Sequence, residues 1–166
     1  MEDRVTPERP AVLPEATPAP MPAPNLKPEA DQLIRDHVLW SMGAGLVPVP
    51  MLDLAAVTTV QVQLVRRLCE LYSAPFTEHV GKSVLNALAG STFARLGSSV
   101  VKGIPGVGFF LGGLSMSALS GASTYAVGYV IQKHLAQHGN LDDFSAEDWK
   151  ALYEEYLEMG KDYVRQ

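Results

Sequence analysis

Apolar positions in this chain recur at helical spacing, in segments separated by proline and glycine. Over Glu29–Leu46, the residues Leu33, Ile34, His37, Val38, Trp40, Ser41 and Leu46 crowd one broad side, and Glu29 and Asp31 suit the positive end of a helix. Val47-Pro48-Val49-Pro50 must stop that helix, because each proline pushes the residue before it out of the α region. A second helix is predicted from Met51 to Ser73, with Thr59, Gln63, Arg66, Arg67 and Glu70 on a polar stripe. Its apolar positions are Leu54, Val57, Leu64, Val65, Leu68 and Tyr72, and Pro75 ends it. Together these make a helical hairpin with a proline-stiffened tip. Two shorter helices are expected at Thr77–Ala89 and Ser91–Val101, parted by Gly90. Near the end, Asn140–Phe144 reads as a loop, and Ser145, three residues before Asp148, as the cap of a terminal helix. Trp149, Leu152, Tyr153, Tyr156 and Leu157 then mark one greasy face opposite an acidic one. No stretch alternates at period two for long enough to predict a sheet, so the expected fold is all-α.

The pattern is most unusual in the middle. From Gly103 to Gln132 there are thirty consecutive residues without a charge. Small residues there fall four apart: Gly108–Gly112, Gly113–Ser117–Gly121 and Ala118–Ala122–Ala126. That spacing lets helix backbones approach closely. Each helix-interior glycine costs about 1 kcal/mol relative to alanine, and close packing is the expected offset. Two readings follow: a tightly packed helix of a soluble oligomer, or a helix packed in or against a membrane, the latter being favoured. A bilayer core takes about 20 apolar helical residues to cross. The stretch from about Val107 to Ile131 is long enough, although Lys102 and Lys133 flank it symmetrically, whereas a simple span favours basic residues on one side. The first hairpin offers sixteen uncharged positions between Asp36 and Asp53 and twelve between Asp53 and Arg66, enough to dip into a bilayer but not to cross it.

Composition sharpens the division of the chain. Residues 1–28 form a Pro-rich tail, expected to be a disordered spacer or a docking segment, in which Pro18, Pro20, Pro22 and Pro24 alternate with Ala and Met and favour polyproline II. Residues 29–138 form an apolar helical core, and residues 139–166 an acidic loop with the amphipathic C-terminal helix. Net charge runs −2 over residues 1–30, +2 over 31–137 and −5 over 138–166, matching the overall −5. No zone clusters Lys and Arg as nucleic-acid binding demands. The single cysteine, Cys69, excludes a disulfide scaffold and reads as a small buried hydrophobe. The start is acidic and proline-interrupted, so no export signal is expected.

Few motifs suggest chemistry. Gly81-Lys82-Ser83 lacks the earlier glycine of a phosphate loop, with Phe76 at that position, and no strand precedes it. Gly106, Gly108 and Gly112 deviate from a dinucleotide fingerprint. His134 and His138 share a helix face but have no third ligand, and are expected to be solvated at a helix end. No catalytic, cofactor or metal residues are assigned. Asp53 falls at the second or third position of the second helix, where a carboxylate meets free N–H groups, and reads first as a cap. The alternative is an intramembrane or partner contact.

The proline tip with its acid (Pro48, Pro50, Asp53), the Gly103–Gly108 turn and the Ser120–Gly128 run together resemble the YcjF-type family of bacterial domains of unknown function. That domain is often appended to Era-like small GTPases, which this chain lacks. The resemblance covers about residues 31–165. It implies an α-helical, membrane-associated domain without catalytic residues. The expected function is a non-enzymatic assembly module at the cytoplasmic face of a bacterial inner membrane. It would self-associate through Gly108, Gly112, Gly113, Ser117 and Gly121, with membrane lipid and a second copy of the chain as partners. Trp149, Tyr153, Tyr156 and Leu157 form a docking stripe, expected to bury against the chain's own basic side or, failing that, a partner. A GTPase or a membrane complex is a further candidate partner, and the alternative functions are a soluble, cytoplasmic regulatory partner of a GTPase or a small channel or transporter subunit.

Overall fold

A computed structural model describes residues 25–44, 50–101 and 116–166, with side chains at 25–44, 55–88, 90 and 117–166. Five helices account for nearly all of them: α1 (Lys27–Ala44), α2 (Pro50–Leu71), α3 (Glu78–Val101), α4 (Met116–His138) and α5 (Ala146–Tyr163). Among the described residues there is no strand.

Local chemistry sets the helix ends. The Asn25 side chain accepts the Lys27 N–H at 3.2 Å, opening α1, and the Thr77 hydroxyl accepts the Val80 N–H at 3.3 Å, opening α3. At the end of α2, Ser73 adopts φ 55°, the Ala74 N–H donates to the Cys69 carbonyl and the Ser73 N–H to that of Glu70. This is a Schellman closure with serine where glycine is usual, and Pro75 follows. Gly139, at φ 72°, closes α4 by donating to the Leu135 carbonyl.

Two expectations about the helices need correction. Gly90 does not divide residues 78–101, which form one helix; a cost of about 1 kcal/mol cannot break a helix anchored by buried Val84, Leu85 and Leu88. Ser145 is the cap position of α5, but its side chain makes no capping bond, and its backbone carbonyl accepts the Asp148 N–H instead.

α4 is the central element. It packs most extensively on α5 and α1, and α2 pairs with α1 while also reaching α4. α3 lies against α2, with smaller contacts to α5 and α4. One core runs through all five helices. It holds Ala30, Ile34 and Val38 of α1, Leu64, Val65 and Leu68 of α2, Val84, Leu85 and Leu88 of α3, Ala122, Val127 and Ile131 of α4, and Tyr153 and Leu157 of α5. Cys69 is buried in the same core, which pushes its thiol up to about 11. The polar stripe of α2 (Thr59, Gln63, Arg66, Arg67, Glu70) faces outward, as its periodicity predicts.

Candidate functional site

Close helix crossings depend on small residues of α4 and α5. A Cβ on Gly128 would sit 2.7 Å from Cγ1 of the buried Ile34, and one on Gly121 would sit 2.6 Å from Cγ of Met42 and 3.0 Å from Val164. The Ser117 hydroxyl donates to the Met42 carbonyl at 2.7 Å. On the other side, a Cβ on Gly160 would lie 2.8 Å from the Ala122 carbonyl oxygen. Ser117 and Gly121, two of the predicted self-association residues, therefore meet α1 and the C-terminal segment of the same chain. Gly108, Gly112 and Gly113 lie outside the described residues.

A buried polar network runs through the same crossings. The Gln61 amide donates to the hydroxyls of Ser123 (3.1 Å) and Thr124 (3.2 Å). Thr124 donates to Ser41 at 2.7 Å, and Ser123 shares a hydrogen bond with the Tyr153 hydroxyl at 3.1 Å. These five side chains tie α1, α2, α4 and α5 together in a low-dielectric interior, where a satisfied network fixes one packing over others. Nothing in the sequence marked Gln61 or Ser41 as partners, beyond their being polar positions within apolar faces.

The histidine pair differs from expectation. His134 is not solvated: it is only 1% exposed, and neither ring nitrogen has a hydrogen-bond partner. Its ring stacks on His138 at 4.5 Å and meets Phe144 and Trp149 edge-on at 5.1 and 5.3 Å. The loop after Gly139 folds α5 back, and so carries these two aromatic rings over the end of α4. Burial first, and then the neighbouring His138, hold the His134 imidazole below its usual value. Among the described residues, no three His, Cys, Asp or Glu side chains gather into a metal-binding set.

Among the described residues, two concave surfaces bear on function. A cleft of about 690 Å³ between α2 and α3 is flanked by the ion pairs Arg66–Glu70 and Lys82–Glu78. Gly81-Lys82-Ser83 lies within helix α3, and the Phe76 ring covers Gly81. A second groove of about 500 Å³, formed by α4, α5 and the start of α1, is lined by Tyr72, Tyr125, Tyr129 and Tyr156 with Lys27 and Lys133. Tyr125 and Tyr129 lie 4.6 Å apart, and Tyr129 stacks on Tyr156 at 5.3 Å. Burial pushes the Tyr129 phenol up to about 12, and its hydroxyl is hydrogen-bonded to that of Tyr125.

The terminal stripe divides between these places. Tyr153 and Leu157 are buried in the core, Trp149 covers the histidines, and Tyr156 joins the tyrosine groove. α5 lies chiefly on α4, with a smaller contact to α3, the helix that carries Lys82 of the chain's basic side. At the hairpin tip, Pro50 is the first residue of α2 and Asp53 the fourth, while Pro48 and the side chain of Asp53 lie outside the described residues. Just before the tip, Leu39 and Trp40 are 63% and 58% exposed, the largest exposures among the described large hydrophobics. Trp40 thus leaves the crowded face of α1 on which its spacing had placed it. The buried line runs through Ala30, Ile34, His37, Val38 and Ser41, and His37 holds its place by donating from Nδ1 to the Leu33 carbonyl. No helix among the described residues is long and apolar enough to cross a membrane, and the described part of the uncharged stretch enters a helix that runs on to His138.

The geometry defines an all-helical packing domain, held by small-residue crossings and a buried hydroxyl–amide network. By sequence, residues 24–161 match the family described as Domain of unknown function (DUF697), and the chain belongs to that family. It is also similar to "Magnetosome membrane protein 22" of Magnetospirillum gryphiswaldense, 39% identical over 137 residues, which are 80% of this chain and 70% of that protein. No solved structure matches it.

Proposed function

We propose that this protein is a non-enzymatic, membrane-associated assembly module that docks by the α1–α2 end without crossing the bilayer. The observation that carries the reading is the exposed pair Leu39 and Trp40 beside the hairpin tip. In sequence the chain continues from there through Leu46-Val47-Pro48-Val49-Pro50-Met51-Leu52, which is uncharged throughout. Tryptophan suits the boundary between headgroup and hydrocarbon, with its ring in apolar surroundings and its N–H near water. Among the described residues, nothing lies within 4 Å of where a Cβ on Gly43, next to the pair, would stand. The similarity to a magnetosome membrane protein supports the same reading. The patch would sit on the cytoplasmic face of a bacterial inner membrane. Self-association would use Gly108, Gly112 and Gly113, since Ser117 and Gly121 are engaged within the chain.

Flotation of the full chain with phospholipid vesicles tests this. The unaltered chain should float with the vesicles, and Leu39→Ser with Trp40→Ser should release it while leaving its helical circular dichroism unchanged. Undiminished flotation of the double variant would overturn the assignment of the patch.

A further inference from the structure

We propose that the Pro-rich segment of this same chain, centred on Pro18–Pro24, docks in the tyrosine groove between α4 and α5. The groove has the chemistry that recognises polyproline II: stacked aromatic rings that accept proline rings, and hydroxyl donors for a backbone whose carbonyls have no internal partner. Tyr125, Tyr129 and Tyr156 supply the rings, with the hydroxyls of Tyr125 and Tyr129 hydrogen-bonded to one another at the groove wall. Met159 in its lining is 46% exposed, and Tyr163, whose ring lies 5.4 Å from that of Tyr125, is 36% exposed, so the groove has an open apolar rim.

The occupant follows from where the chain enters the fold. Lys27, the first residue of α1, lines the groove, and Pro24 precedes it by only three residues. Three residues reach at most about 10 Å, so the last proline is tethered at the groove mouth. A link that short gives an effective concentration on the order of millimolar, which no free partner matches at equal intrinsic affinity. From Thr17 to Pro24 the alternating prolines would extend about 25 Å as polyproline II, at about 3.1 Å per residue. The proposal does not depend on membrane docking, which uses the other end of α1.

The test uses the full chain with Ala19→Cys carrying a nitroxide spin label. Cys69 is buried and its thiol pushed up to about 11, so it stays unlabelled at neutral pH. The ring resonances of Tyr129 and Tyr156 should broaden strongly, and those of Phe76 in the α2–α3 cleft should not. Replacing Pro18, Pro20, Pro22 and Pro24 together by serine leaves the core untouched and should reduce the broadening several-fold. Equal broadening at both surfaces, or broadening indifferent to the proline changes, would overturn the proposal. Broadening transferred to label-free chains in a mixture would assign the groove to the segment of a second copy and overturn the intrachain assignment.

Discussion

Gly160→Ala should destabilise the protein, although the same change in an open helix stabilises it. In a free helix interior, alanine gains up to about 1 kcal/mol over glycine. At Gly160 the new Cβ would lie 2.8 Å from the Ala122 carbonyl oxygen, 3.0 Å from Ala122 Cα and 3.1 Å from Tyr125 Cβ. The nearest two are backbone atoms of α4 and cannot rotate aside. To reach ordinary contact at 3.4 Å, α5 must therefore back away by about 0.6 Å. A gap of about that size forfeits a quarter or more of the dispersion energy at each contact it opens. The contacts at risk include those of Tyr153 and Leu157, both in the core. Overpacking costs about 1–3 kcal/mol, and rigid backbone neighbours place this case near the upper end. After the gain in helix propensity, a net loss of about 2 kcal/mol remains, or roughly 4–8 °C in Tm. Gly90→Ala is the internal control: it is exposed within α3 and its Cβ would meet nothing within 4 Å, so it should stabilise by about 0.5–1 kcal/mol. Urea and thermal unfolding of the three proteins measure both effects. A Gly160→Ala protein as stable as the unaltered chain, beside a stabilised Gly90→Ala, would refute the close α4–α5 crossing.

Three further outcomes follow from the same geometry. Because the folded His134 titrates below its usual 6.5, its contribution to stability is complete above pH 6.5 and is lost as pH falls below it. The charge of Asp143 opposes the shift and is the smaller influence, and His134→Phe, which suits the ring nest, should flatten that part of a urea-midpoint profile against pH. Thr124→Val removes the acceptor for Gln61 and the donor to Ser41, and should cost about 1–3 kcal/mol in equilibrium unfolding. Ser73→Gly relieves the left-handed residue that closes α2, and should raise stability by up to about 1 kcal/mol on the same assay.

The sequence shows what is rigid or periodic and hides what only tertiary contact decides. Pro48 and Pro50 made the break between α1 and α2 legible, because proline restricts the backbone whatever surrounds it. The small residues at 117–128 announced close packing, yet spacing alone could not say that Gly121 and Gly128 would meet Met42 and Ile34 of the same chain. Gly90 misled because a local propensity of about 1 kcal/mol yields to burial of the helix around it. His134 misled for a related reason: its burial comes from Phe144 and Trp149, which arrive only when α5 folds back. The tyrosine groove was illegible altogether, since no single segment carries more than two of the four tyrosines that line it.

The most direct test of membrane docking is depth-dependent quenching of Trp40 in the Trp149→Phe chain, where it is the remaining tryptophan. With vesicles containing lipids brominated at successive acyl positions, Trp40 fluorescence should be quenched most by the shallowest bromines and shift to the blue. Emission that neither shifts nor quenches, with the chain still folded, would contradict docking through the α1–α2 end.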